Sequence, residues 1–160
     1  MKKDILKGST MLLLVVALAL AAAAVSANAQ STNKVVANVP FEFSVGYKTM
    51  PAAEYSVQAI PSANGLMIQS ADGKNSALRL SDATERIKDK THARLVFHRY
   101  GERYFLAEVW NGVDNTGRQL TKSQEERAIE EELTKIASAS DKAHASQAIY
   151  ENVEVLAVLR

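Results

Sequence analysis

His92 and His98 are the two imidazoles that share a patterned segment, and metal binding is the first chemistry their type suggests. Six residues apart on an extended strand they point to one face but stand roughly 20 Å apart at 3.3 Å per residue. They cannot hold one ion. His144 is remote in sequence, Cys is absent, and no carboxylates cluster at ligand spacing, so the expectation is no metal and no cofactor. Nucleophilic catalysis fares no better, because neither G-x-S-x-G nor S-x-x-K occurs. Glu42, Glu54 and Glu108 alternate outward on strands, where a solvated charge is the ordinary reading. A glycosidase would need two such acids converging in a cleft. The chain is therefore read as non-enzymatic.

The richest chemistry lies in His98-Arg99-Tyr100-Gly101-Glu102-Arg103-Tyr104, with Trp110 beyond it. Aromatic faces stack on sugars, and guanidinium groups grip carboxylates or phosphates through paired hydrogen bonds. His98, Arg99, Tyr100, Arg103, Tyr104 and Trp110 are accordingly the candidate ligand-binding residues. A carbohydrate-binding role that uses the Tyr104 and Trp110 aromatics predicts both rings exposed in a coplanar row. A small hydrolase requires an acid pair or a His–acid pair in a pocket. The plain alternative is that a helix covers this face with Ile129, Leu133 and Ile136.

Those residues sit on what reads as a β-hairpin from His92 to Trp110 turning near Gly101. Two registers compete. A two-residue Gly101-Glu102 turn pairs Arg99 with Tyr104 and leaves both faces mixed. A register one step earlier gathers Ala93, Leu95, Phe97, Phe105, Ala107 and Val109 on one apolar face and sets Arg94 opposite Glu108. The second is preferred, since a one-residue slip exchanges every inward side chain for an outward one. It places His98, Tyr104 and Trp110 together on the face away from the core.

Upstream, Val35, Ala37, Val39, Phe41, Phe43 and Val45 alternate with polar residues, which predicts one half-buried strand carrying Pro40 at an edge or bulge. Tyr55, Val57 and Ala59 mark a second strand, Leu66 and Ile68 a third, Leu78 and Leu80 a fourth. The turns at Asn64-Gly65 and Ala71–Lys74 make this run an antiparallel meander. Residues 81–91 read as a loop, and Asp114–Gly117 as another. Ser123 and Glu126 form an S-x-x-E capping box opening a helix at about 123–139. Val153, Val155, Ala157 and Leu159 predict a final strand at about 152–159. If that strand pairs with the first, the sheet closes or nearly closes and hides its edges.

The amino terminus carries an address. Lys2, Lys3 and Lys7 precede an apolar run from Met11 to Val25, and Ala27-Asn28-Ala29 supplies the small-x-small cleavage pattern. The run is shorter than the roughly 20 residues a spanning helix needs. Residues 1–29 are thus expected to be a cleavable signal peptide, with 30–160 a single β-rich domain, periplasmic or secreted, lacking a stable membrane span. The net charge of +1 falls to −1 once Lys2, Lys3, Lys7 and Asp4 are removed. A near-neutral charge supplies no counterion-release drive toward nucleic acid. Partners of an envelope-protein or glycan kind remain. The fold expected is mainly β, a small antiparallel β-barrel or β-sandwich with one packed C-terminal α-helix.

Val39-Pro40-Phe41-Glu42-Phe43-Ser44-Val45-Gly46, then Met50-Pro51-Ala52-Ala53-Glu54-Tyr55-Ser56-Val57, resembles an uncharacterised family of small secreted bacterial proteins. Leu95-Val96-Phe97-His98-Arg99-Tyr100-Gly101 and Tyr104-Phe105-Leu106 look like that family's second half. The resemblance implies a compact exported β domain and carries no activity. Members of that kind have Gly at the position of Ala53, so a different turn is expected there.

Overall fold

The computed structural model describes residues 34–85, 92–113, 115–140 and 149–160. The expected signal peptide, His144 and residues 86–91 lie outside them. Among the described residues eleven strands and one α-helix follow in order: β1 (Lys34–Val39), β2 (Phe43–Val45), β3 (Lys48–Met50), β4 (Ala53–Ile60), β5 (Gly65–Ser70), β6 (Ser76–Glu85), β7 (Arg94–Tyr100), β8 (Arg103–Trp110), β9 (Thr116–Leu120), α1 (Gln124–Ser140), β10 (Glu151–Leu156) and β11 (Val158–Leu159). No helix among the described residues is long and apolar enough to cross a membrane.

The meander is present as β1-β4-β5-β6, all antiparallel, with Val35, Ala37, Val39, Tyr55, Val57, Leu66 and Ile68 turned inward. Asn64 adopts φ +45° and Gly73 φ +72°, as the two turns require. The long first strand breaks, however. Pro40 has no N–H to donate, and the chain leaves β1 there and resumes as β2 in the second sheet, beside β3 and β8. Ala53 opens β4 outside the left-handed region. Here Tyr55, fully buried, donates its hydroxyl to the Pro51 carbonyl at 2.6 Å and clamps the corner.

Residues expected to be loops extend the second sheet. β6 continues through 81–85 and crosses from the first sheet to the second at Leu80/Ser81, where its partner changes from β5 to β9. Thr116 and Gly117, expected within the loop Asp114–Gly117, open the strand β9 instead. The last strand crosses at Ala157, pairing with β7 through Glu151–Leu156 and with β1 through Val35↔Leu159 and Val36↔Val158. The result is a β-sandwich-like pair of sheets joined at two corners by strands that change sheet. It is not a closed barrel: the Ala157 N–H still bonds to the Ala93 carbonyl in register with β7, and only beyond it does the chain leave β7 to pair with β1.

Between the sheets, Phe97 packs edge-on against Phe41 and Phe43, each with centroids 5.2 Å apart, and Phe43 meets Tyr55 at 5.0 Å. Such rings each contribute roughly 1.5–3 kcal/mol by burial, plus about 0.5–1.5 kcal/mol for a well-oriented pair.

Candidate functional site

The β7–β8 hairpin carries all six candidate residues and departs from the preferred register. Its turn is the two-residue Gly101-Glu102, with Gly101 at φ +62° as the first position of a type II′ turn demands. Tyr100 faces Arg103, Arg99 faces Tyr104 and His98 faces Phe105. A bulge then leaves Ala107 as the extra residue on β8, so Val96 opposes Glu108 and Arg94 opposes Trp110. The apolar-face argument failed because both faces of this hairpin are buried: Arg94, Val96, His98 and Tyr100 are covered as thoroughly as Leu95 and Phe97.

What covers His98 and Tyr100 is polar. His98 Nδ1 lies 2.7 Å from Glu126 Oε1, and Tyr100 donates its hydroxyl to the same oxygen at 3.3 Å. Glu126 is 4% exposed. Ser123 Oγ accepts the Glu126 N–H at 3.0 Å, completing half of the predicted capping box. The other half is diverted, since the Glu126 carboxylate reaches across to β7. Tyr150 lies over His98 with centroids 4.0 Å apart, and Lys122 sits over the Tyr150 ring while binding Glu130 at 2.8 Å. Burial, followed by the charges of Glu126 and Glu130, pushes the Tyr100 phenol far above its ordinary range. The covering side chains are therefore those of the first helical turn and Tyr150. Ile129 and Leu133 are half-buried and Ile136 is 57% exposed, so the apolar stripe does not supply the cover expected of it.

At the hairpin tip, Arg99 and Tyr104 share the opposite side, while Arg103, the partner of Tyr100, stays on the α1 side over the Phe105 ring. Tyr104 stacks on Phe41 with centroids 4.0 Å apart, and the Arg99 guanidinium lies 5.6 Å from the Tyr104 centroid. Beside them a cleft of about 340 Å³ opens between β2 and β8, which meet only at Ser44↔Phe105 before diverging. Phe41 and Tyr104 form its aromatic wall, Ser44 and Thr49 offer hydroxyls, and Glu42 and Glu102 stand at its sides. The basic groups are already engaged, Arg103 with Glu125 and Arg99 with Glu151 at 3.3 Å. Among the described residues Glu42 and Glu102 enter no ion pair.

Trp110 belongs to neither group. It is 3% exposed, lies 5.0 Å from the Arg94 guanidinium, donates Nε1–H to Glu108 at 2.8 Å and is laid flat over Gly117. Arg94 is 2% exposed and faces Glu154 at 3.7 Å. Tyr104 and Trp110 thus do not form the exposed coplanar row. The six candidates separate into His98, Tyr100 and Arg103 on the α1 side, Arg99 with Tyr104 on the other, and Trp110 in a third place. Sequence reasoning missed Glu126 and Tyr150 as partners of His98, and Phe41 as the partner of Tyr104; only the S-x-x-E spacing singled out Glu126 beforehand. Among the described residues no group of three or more His, Cys, Asp or Glu is placed to hold a metal ion.

The first and last strands cover each other's edges where 35–36 pair with 158–159. No protein-family model, curated protein or solved structure matches this chain.

Proposed function

We propose that residues 30–160 act as an exported, non-enzymatic binding module, freed by cleavage after Ala29 in the periplasm or outside the cell. Its ligand is the polar end of a glycan, held in the cleft at the β7–β8 turn. The observation that carries this reading is the 340 Å³ cleft itself, where an aromatic wall stands beside two carboxylates that enter no ion pair among the described residues. Carboxylates accept sugar hydroxyls, and the Phe41–Tyr104 edge packs on the apolar face of a pyranose. An anionic ligand is disfavoured, since Arg99 and Arg103 are neutralised by Glu151 and Glu125.

The His98–Glu126 pair has the composition of a base and its orienting acid, which is the one feature favouring a hydrolase. Its geometry favours an anchor for α1 instead. The Tyr150 ring lies over the imidazole, and among the described residues no hydroxyl nucleophile bonds to His98.

A glycan array followed by calorimetry tests the proposal. Binding should fall at least tenfold in Glu102→Gln and in Tyr104→Ala, with the fold retained by circular dichroism. Array silence, or binding that both substitutions leave unchanged, defeats it. Amino-terminal sequencing of the exported protein should begin at Gln30.

A further inference from the structure

The outer face of the first sheet holds a second depression of about 400 Å³, remote in the sheet order from the hairpin cleft. Lys34 and Arg160 stand on its rim. Their backbones exchange both hydrogen bonds, Lys34 N–H to the Arg160 carbonyl at 2.9 Å and Arg160 N–H to the Lys34 carbonyl at 2.8 Å. They are therefore directly opposed on an antiparallel pair, with both side chains on one face. Like charges in that position are destabilising, and among the described residues neither cation forms an ion pair. A local rule broken with no compensating ion pair among the described residues points to a compensating anion from outside.

The same face continues as apolar surface. The next cross-strand pair along it is Val36↔Val158, and Val158 is 61% exposed. Leu156, just before the corner at Ala157, is 73% exposed. From Arg160 to Leu156 the strand covers about 13 Å at 3.3 Å per residue. Val36 also lines the depression, with Ser56 and Gln69 as its polar neighbours and Glu54 on the far wall. A cationic end thus leads into an apolar strip, with an acid positioned to repel a second negative group.

We propose that this face binds a single-chain amphipathic anion, its phosphate or carboxylate head between Lys34 and Arg160 and its alkyl chain along Val36, Val158 and Leu156. The occupant is a monomeric amphiphile taken from solution. Its binding is independent of the glycan cleft.

Titration of the purified protein with dodecyl phosphate below its micelle concentration tests this. One-to-one binding is expected, with dodecyltrimethylammonium and inorganic phosphate each at least tenfold weaker. The double variant Lys34→Gln/Arg160→Gln should lose at least tenfold in affinity while keeping or gaining thermal stability, since it relieves a like-charge pair. Val158→Asp should abolish binding, and Tyr104→Ala should leave it intact. Equal affinity for the cationic detergent, equal affinity for bare phosphate, an unaffected double variant, or binding confined to anionic vesicles would each overturn the proposal.

Discussion

Replacing Glu126 by Ala removes one carboxylate oxygen that serves two buried groups, the His98 ring at 2.7 Å and the Tyr100 hydroxyl at 3.3 Å. Neither partner can turn to solvent, since His98 is 6% and Tyr100 4% exposed. Each orphaned donor costs about 1–3 kcal/mol, and loss of a negative charge in the first helical turn adds about 0.3–1 kcal/mol. The variant should therefore be destabilised by about 2–7 kcal/mol, a large share of the roughly 5–15 kcal/mol typical of a domain. Urea unfolding followed by the fluorescence of the single tryptophan, Trp110, reads this directly. Pairing Glu126→Leu with His98→Phe should recover the His98 part of the loss, because that bond and its desolvation penalty go together, and adding Tyr100→Phe should recover the rest. A cost below about 1 kcal/mol for Glu126→Ala, or strict additivity in the double variant, would show that the cluster is wet and that the anchor argument is wrong.

Tyr55→Phe deletes the 2.6 Å bond to the Pro51 carbonyl without changing the ring's packing, and should cost about 1–2 kcal/mol in the same unfolding assay. Gly117→Ala would set a Cβ 2.7 Å from the Trp110 ring; the predicted cost is about 1–3 kcal/mol, with a shift in Trp110 emission as the indole is lifted. The Tyr100 phenol ionises well above its ordinary value of about 10, so both folded and unfolded states hold the proton below that pH. Above about pH 10 only the unfolded chain releases it, and this group should lower stability by about 1.4 kcal/mol per pH unit, a contribution that Tyr100→Phe removes while that of the raised Tyr55 stays. Asp72 behaves oppositely. Its hydrogen bonds from Ser70 and from the Lys74 N–H hold its carboxyl below the usual range, so the Ser70–Asn75 turn should loosen on acidification below about pH 4. Amide exchange of Lys74, faster at pH 3 than the intrinsic pH trend allows, is the expected sign.

Composition and alternation were enough to read a mainly β chain, the inward residues of β1, β4 and β5, the Asn64-Gly65 and Asp72-Gly73 turns, and a helix opening at Ser123. These follow from local rules: side chains alternate every second residue in a strand, Asn and Gly tolerate positive φ, and a serine hydroxyl accepts an orphan helix N–H. The β7–β8 register was beyond such rules, because its outer face is buried beneath Ser123–Glu126 and Tyr150, some 20 to 50 residues away in sequence, and inward and outward residues then look alike. The Ala107 bulge reverses the alternation midway, which no periodicity reveals. Pro40 was legible as an obstacle to pairing, yet that it sends the chain to the other sheet depended on where β8 lay. Likewise the pairing of Arg160 with Lys34 joins the two ends of the described chain, a contact that local sequence cannot encode and only the closing of β11 on β1 produces.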